Sequence, residues 1–182
     1  MKKALLIVDV QDAFNDPKWG ERNNHDAEEN IKRLLTEWRK KQQEVIFIQH
    51  QSQNHDSVFH PDHPGYRIKE IVKPLDDEMV IRKEVNSAFI GTSLEHFLHD
   101  QGIKEVVITG LTTQHCVSTT TRMSGNLGFH TFLISDATAA FELTDHNGKA
   151  VDPQTIHDVS LATIHNEFAT VCSTEDYLEK YF

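Results

Sequence analysis

Two cysteines, Cys116 and Cys172, are all the chain has, and they lie far apart. That is no disulfide framework, so a hydrophobic core must hold the fold, and 182 residues can bury one. No apolar run approaches the roughly 20 residues of a membrane-spanning helix. The run after Lys2 and Lys3 is cut by Asp9 and Gln11 and is too short for a secretory signal core. Basic charge is scarce: 18 Lys and Arg against 28 Asp and Glu leave a formal net charge of -10. Nonspecific nucleic-acid affinity comes from clustered Lys and Arg, so the balance argues against a nucleic-acid partner and for a small-molecule ligand. Repeats, low-complexity tracts and linkers are lacking too. The expectation is one cytoplasmic domain over residues 1–182, with no membrane contact.

Apolar runs and helical periodicities are what the chain does have. Residues 4–8, Ala-Leu-Leu-Ile-Val, form a continuous apolar run that ends at Asp9, the pattern of a strand covered on both faces. Over 26–43 the apolar positions Ala27, Ile31, Leu34, Leu35 and Trp38 recur at helical spacing. Further strands are expected at 45–48, 79–82, 105–109, 131–135 and 168–172. Helices are expected at 68–73, 92–102, from 117 to about 128, from 152 to about 165, and at 174–181. Thr92 is the expected N-cap of the third helix, with Glu95 three residues on, and Asp152-Pro153 opens the fifth. Alternating strands and helices call for an α/β, three-layer, Rossmann-like fold with a six-stranded, mostly parallel sheet.

In such sheets the ligand crevice lies beyond the carboxyl ends of the strands. Asp9, Lys83 and Cys116 all follow strand ends. Asp9 is either a site residue or a turn cap, and Lys83-Glu84 either a site element or a surface pair. Cys116 follows the run from Val106 to Thr109, a turn at Gly110, and a polar segment, just where a helix starts. A helix N-terminus favours thiolate, which would make Cys116 a nucleophile; the alternative is a small buried hydrophobe. Cys172, inside an apolar strand, reads as core. Phe14, Trp19, Gln49 and Phe141 lie near strand ends and are candidates to wall a pocket, or else core. Glu142 and Asp145 lie in the polar stretch after the fifth strand, where they could cover the site of the same chain or of a neighbour. His50, His55, His60 and His63 fall in a Pro- and Gly-bearing loop without a tight ligand spacing, so they read as solvated histidines, with metal binding the weaker alternative.

Three motifs in order carry a resemblance: residues 6–14, Leu-Ile-Val-Asp-Val-Gln-Asp-Ala-Phe; 83–89, Lys-Glu-Val-Asn-Ser-Ala-Phe; and 109–117, Thr-Gly-Leu-Thr-Thr-Gln-His-Cys-Val. With Ser135-Asp136-Ala137-Thr138-Ala139-Ala140 they span essentially the whole chain and resemble the isochorismatase-like cysteine hydrolases, which include nicotinamidases, N-carbamoylsarcosine amidases, streptothricin hydrolases and isochorismatases. The resemblance implies Asp9, Lys83 and Cys116 as the catalytic set and a cis peptide between Leu111 and Thr112. It implies an oxyanion hole from the Thr112 and Cys116 N–H groups, and a homo-oligomer, dimer or tetramer. Nicotinamidases of this group carry Asp-x-His and a further His as metal ligands after the second strand, where this chain reads Gln49-His50-Gln51-Ser52-Gln53-Asn54. No metal or cofactor is therefore expected. A retained thiol favours C–N hydrolysis of a small amide, ureido or lactam compound over vinyl-ether cleavage, which needs no thiol. A thiol-sensing or binding protein is the third reading.

Overall fold

The computed structural model describes residues 2–182. Strands β1 (Lys3–Val8), β2 (Glu44–His50), β3 (Met79–Lys83), β4 (Glu105–Leu111), β5 (His130–Ala139) and a late strand of residues 170–172 build one sheet, whose pairings are all parallel. Two short strands precede that last one in the chain, β6 (Leu143–Thr144) and β7 (Ala150–Val151), so it is β8. The sheet order is β3-β2-β1-β4-β5-β8, and β6 and β7 form a separate antiparallel hairpin that the sequence reading did not anticipate.

Strand alternation sorts the apolar runs into two cores. Ala4, Leu6 and Val8 of β1 face one side, where they pack with Leu94 and Leu98 of α2 (Leu94–Asp100) and with Val117, ahead of α3 (Ser118–Asn126). Leu5 and Ile7 face the other side, against Ile31, Leu34, Leu35 and Trp38 of α1 (Ala27–Lys40), joined by Tyr177 of the C-terminal helix. Burial on both faces explains why β1 and β4 read as unbroken apolar runs. Between β7 and β8 lies α4 (Pro153–Ala162), whose Asp152 accepts from the Thr155 N–H at 2.9 Å; Ser173 caps α5 (Thr174–Lys180) in the same way. Among the described residues no helix is long and apolar enough to cross a membrane.

Several expected elements are shorter than their patterns. The helix at 68–73 is a single 3-10 turn, Glu70–Val72, since Pro74 leaves no room to propagate it. The helix at 92–102 is reduced to α2; the position ahead of it is Ser93, whose side chain makes no cap bond, and it is the Thr92 hydroxyl that accepts from the Leu94 N–H at 3.3 Å while donating to Ala88 O at 2.5 Å. In contrast β5 runs past Ser135 to Ala139. It bulges there, since Leu133 pairs with Ile108 but the next pair is Thr138 with Gly110. Asp136, within that bulge, accepts from the Thr174 N–H and hydroxyl, both at 2.8 Å, and so caps α5.

Candidate active site

The order of the sheet fixes where a crevice can open. Beside β1 the chain runs outward through β2 and β3 on one side and through β4, β5 and β8 on the other, so β1 and β4 flank the switch point of the sheet. Asp9 follows β1 directly and Cys116 lies five residues beyond β4. At Asp9 the backbone turns with φ 52°, a left-handed conformation that Asp tolerates better than most residues, and this breaks the strand. Close approach of β1 and β4 requires Gly110, where an added Cβ would lie 2.0 Å from the Val8 carbonyl oxygen. The Leu111–Thr112 peptide is cis, as the resemblance implied.

Lys83 starts two strands away from Asp9, roughly 9–10 Å across the sheet. Its side chain, 0% exposed, crosses the end of β2 to reach Asp9. Its Nζ donates to Asp9 Oδ2 at 2.6 Å and to Cys116 Sγ at 3.3 Å, and lies 3.1 Å from His50 Nδ1. Three donors thus meet three acceptors, which is how a buried ammonium is satisfied. Asp9, Lys83 and Cys116 therefore converge as expected, and His50 joins them. Gln11, fully buried, fixes His50 by accepting from its N–H at 2.8 Å and donating to its carbonyl at 3.0 Å.

The resting thiol is not the activated one that the sequence pointed to. Cys116 lies in a π-helical turn, Thr113–Val117, that runs directly into α3, so it does sit in the opening turn of a helix. Burial, and next the Asp9 carboxylate beside it, push the thiol up to about 12, against the pull of Lys83. Burial also raises Asp9, with Lys83 opposing. Burial and the Lys83 ammonium push His50 down to about 4, so its ring is neutral near neutral pH.

Above this floor opens a cavity of about 290 Å³. Phe14, Trp19, Phe59 and Phe141 form its aromatic wall, with Phe14 packed on the other three at centroid distances of 5.2 to 5.8 Å. Three of the four expected pocket residues are in place. Gln49 is not: it sits one residue before His50 on β2, so its side chain takes the opposite face and donates to Tyr66 O at 2.9 Å. Glu142 lines the mouth, but Asp145 serves the β6–β7 turn by accepting from the Asn147 and Lys149 N–H groups. Phe59, Asn86, Gln114, His115 and Leu143 also line the cavity and were not singled out. Phe59 and Asn86 lie in loops, Gln114 and His115 in the π turn and Leu143 on a two-residue strand, none of which carries a periodicity from which a direction could be read.

Among the described residues, two groups of side chains bring potential metal-ligating atoms within 4.8 Å of one another. In the first, Asp9, His50 and Cys116, the Lys83 ammonium already bonds all three, so a cation there would meet a resident positive charge. The second is His55, His60 and Asp62 on the loop after β2, closer than their sequence spacing suggested, although His60 Nδ1 already accepts from the Asp62 N–H at 3.2 Å. His63 Nδ1 accepts from the Gly65 N–H at 2.9 Å.

The isochorismatase domain model matches residues 3–176. The chain belongs to the isochorismatase family. An isochorismatase family protein of Bacillus subtilis, YrdC, is 62% identical over 99% of this chain and 96% of its own length. A solved structure from Chromobacterium violaceum, described as a hydrolase of the isochorismatase family, is 40% identical with a TM-score of 0.96, covering 98% of this chain and 92% of that one. A streptothricin hydrolase of Streptomyces noursei is 31% identical over 78% of this chain and 56% of its own length. More distant relatives are named nicotinamidase 3 and maleamate amidohydrolase. This chain is thus an isochorismatase-family hydrolase with amidohydrolases among its relatives.

Proposed function

We propose that this hydrolase cleaves a C–N bond of a small amide, ureido or lactam compound through a thioester on Cys116, without a metal or cofactor. The observation that carries the reading is the Lys83 ammonium, bonded at once to Asp9 Oδ2 and Cys116 Sγ at the floor of the cavity. Asp9 accepts the thiol proton as the sulfur attacks the carbonyl carbon, and Lys83 balances the charge on both partners. The Thr112 and Cys116 N–H groups hold the oxyanion of the tetrahedral intermediate. Collapse breaks the C–N bond, with the proton on Asp9 passing to the leaving nitrogen. Water then gives one proton to Asp9 and its hydroxide to the thioester carbon; the acid departs, and the proton returns to sulfur.

The test is a panel of small amides, ureides and lactams assayed for ammonia or amine release, with intact-protein mass spectrometry following the acyl adduct on Cys116. Cys116→Ser is expected to lower turnover at least about a thousandfold, since a hydroxyl is a far poorer nucleophile here. Near-full ammonia or amine release in that variant would refute the thioester route through Cys116. Silence across the whole panel would refute the amidohydrolase reading.

A further inference from the structure

Two buried acceptors and one exposed carboxylate stand out on the cavity walls. Gln114 Oε1 is buried without a hydrogen-bond partner, and Asp9 Oδ1 has none besides the Cys116 thiol beside it. A buried acceptor left without a donor carries its full desolvation penalty, so each marks a place where a bound molecule would supply an N–H. At the mouth the Glu142 carboxylate adds a third acceptor and a negative charge.

Cations are missing from the same walls. Among the described residues no Lys or Arg lines the cavity. Lys83 is committed to Asp9, and Arg22, 5.8 Å from the Phe141 ring, is held by Glu28 through two bonds of 2.9 Å. Lys18 lies over the Trp19 ring outside the lining. Burial pushes His50 down to about 4, so it brings no charge near neutral pH, and the His115 ring, though exposed, is also lowered from its ordinary value. A ligand carboxylate would leave water for aromatic rings and a facing Glu142, with no free cation to meet it.

We infer that the site selects an uncharged or cationic compound with a planar or apolar acyl body and a donor-bearing amide nitrogen, and that it rejects substrates bearing a carboxylate. Gln114 Oε1 takes one N–H of the amide nitrogen, Asp9 Oδ1 faces the other, and the acyl body lies on the wall of Phe14, Trp19, Phe59 and Phe141. Gln114 and Glu142 are the specificity-determining residues. The inference rests on the amide-hydrolysis reading for the orientation of the ligand, but its charge selection can be measured without turnover.

Iodoacetamide and iodoacetate share size and leaving group and differ as –NH2 against carboxylate. Their labelling rates at Cys116 are measured at pH 9 by peptide mass spectrometry, which separates Cys116 from Cys172, and are normalised to 2-mercaptoethanol. The normalised ratio is expected to favour iodoacetamide at least tenfold. Gln114→Leu, which removes the acceptor, and Glu142→Gln, at an exposed position that tolerates change, should each shrink it severalfold. A normalised ratio near one, no labelling by iodoacetamide in folded protein, or a ratio unchanged in both variants overturns the inference. Preferred hydrolysis of carboxylate-bearing amides overturns it too and leaves amide hydrolysis standing. Failure to hydrolyse any amide while the labelling preference persists refutes amide hydrolysis and supports the charge selection.

Discussion

Replacing Asp9 by Asn should move catalysis and thiol reactivity in opposite directions. After burial, the Asp9 carboxylate is the largest influence holding the Cys116 thiol at about 12. Its charge lies within 4.8 Å of the sulfur, and at that separation and an effective dielectric near 20 two unit charges interact by about 3.5 kcal/mol, or about 2.5 pH units. Lys83 stays behind in the variant and takes the thiolate as its counter-ion. At pH 8 the thiolate fraction rises about 300-fold; because a less basic thiolate is also less nucleophilic, alkylation accelerates by about 20- to 30-fold. Turnover, for which the proposed mechanism has Asp9 carry protons in both half-reactions, should fall by at least about a hundredfold. The assay is the rate of iodoacetamide labelling at Cys116 against pH, in wild type and Asp9→Asn, with circular dichroism showing both folded. Unchanged or slower labelling in a folded variant would refute the electrostatic account of the site.

Two further predictions concern stability. Burial would raise Glu28, but its bonds to Arg22 and Lys69 overcome that and hold it at about 2. A carboxyl depressed on folding contributes stability that is present above its unfolded value of 4.5 and lost as pH falls through 2, here about 3 kcal/mol. Urea melts of Glu28→Gln between pH 4.5 and pH 2 should therefore show a shallower loss of stability than wild type; parallel curves would count against the ion pairs. Gly110→Ala should cost more than about 4 kcal/mol or abolish soluble expression, because it combines a steric clash with an unfavourable backbone conformation. A soluble variant melting within a few degrees of wild type would show that β1 and β4 are not so closely opposed.

What the sequence reveals follows from how directly a residue's direction is tied to a strand. Asp9 and Lys83 sit at the ends of apolar runs, so the parallel sheet carries them to one edge without further information. Cys116 was legible in position but not in charge. Its thiol is governed by burial and by Asp9 rather than by a helix end, and those neighbours are distant in sequence. The error at Gln49 is a single step of strand alternation: His50 points into the site, and its neighbour points away. Phe59, Asn86 and Leu143 come from loops and a two-residue strand, where neither the period of 2 nor that of 3.6 sets a direction. The bulge in β5 was hidden for a related reason, since Ser135 and Asp136 look like the end of a strand until Asp136 is seen capping α5.

The high resting position of the thiol bears on how such a site would work. A thiolate standing free at pH 7 would be open to alkylation and oxidation whenever the cavity was empty. Here burial and the Asp9 carboxylate keep the proton on sulfur, while the same burial raises Asp9 and makes it a better proton acceptor than a solvated carboxylate. Burial thus raises both groups, with Lys83 bonded to each. Transfer of the proton shifts negative charge from an oxygen to a sulfur that face the same ammonium, so the charge balance of the buried site is kept. In the proposed mechanism, what remains unfavourable is met only when a carbonyl carbon is within reach of the sulfur, so that attack and proton transfer proceed together. A thiol that stays protonated until then forms a more basic, and therefore more nucleophilic, sulfur at the moment of attack.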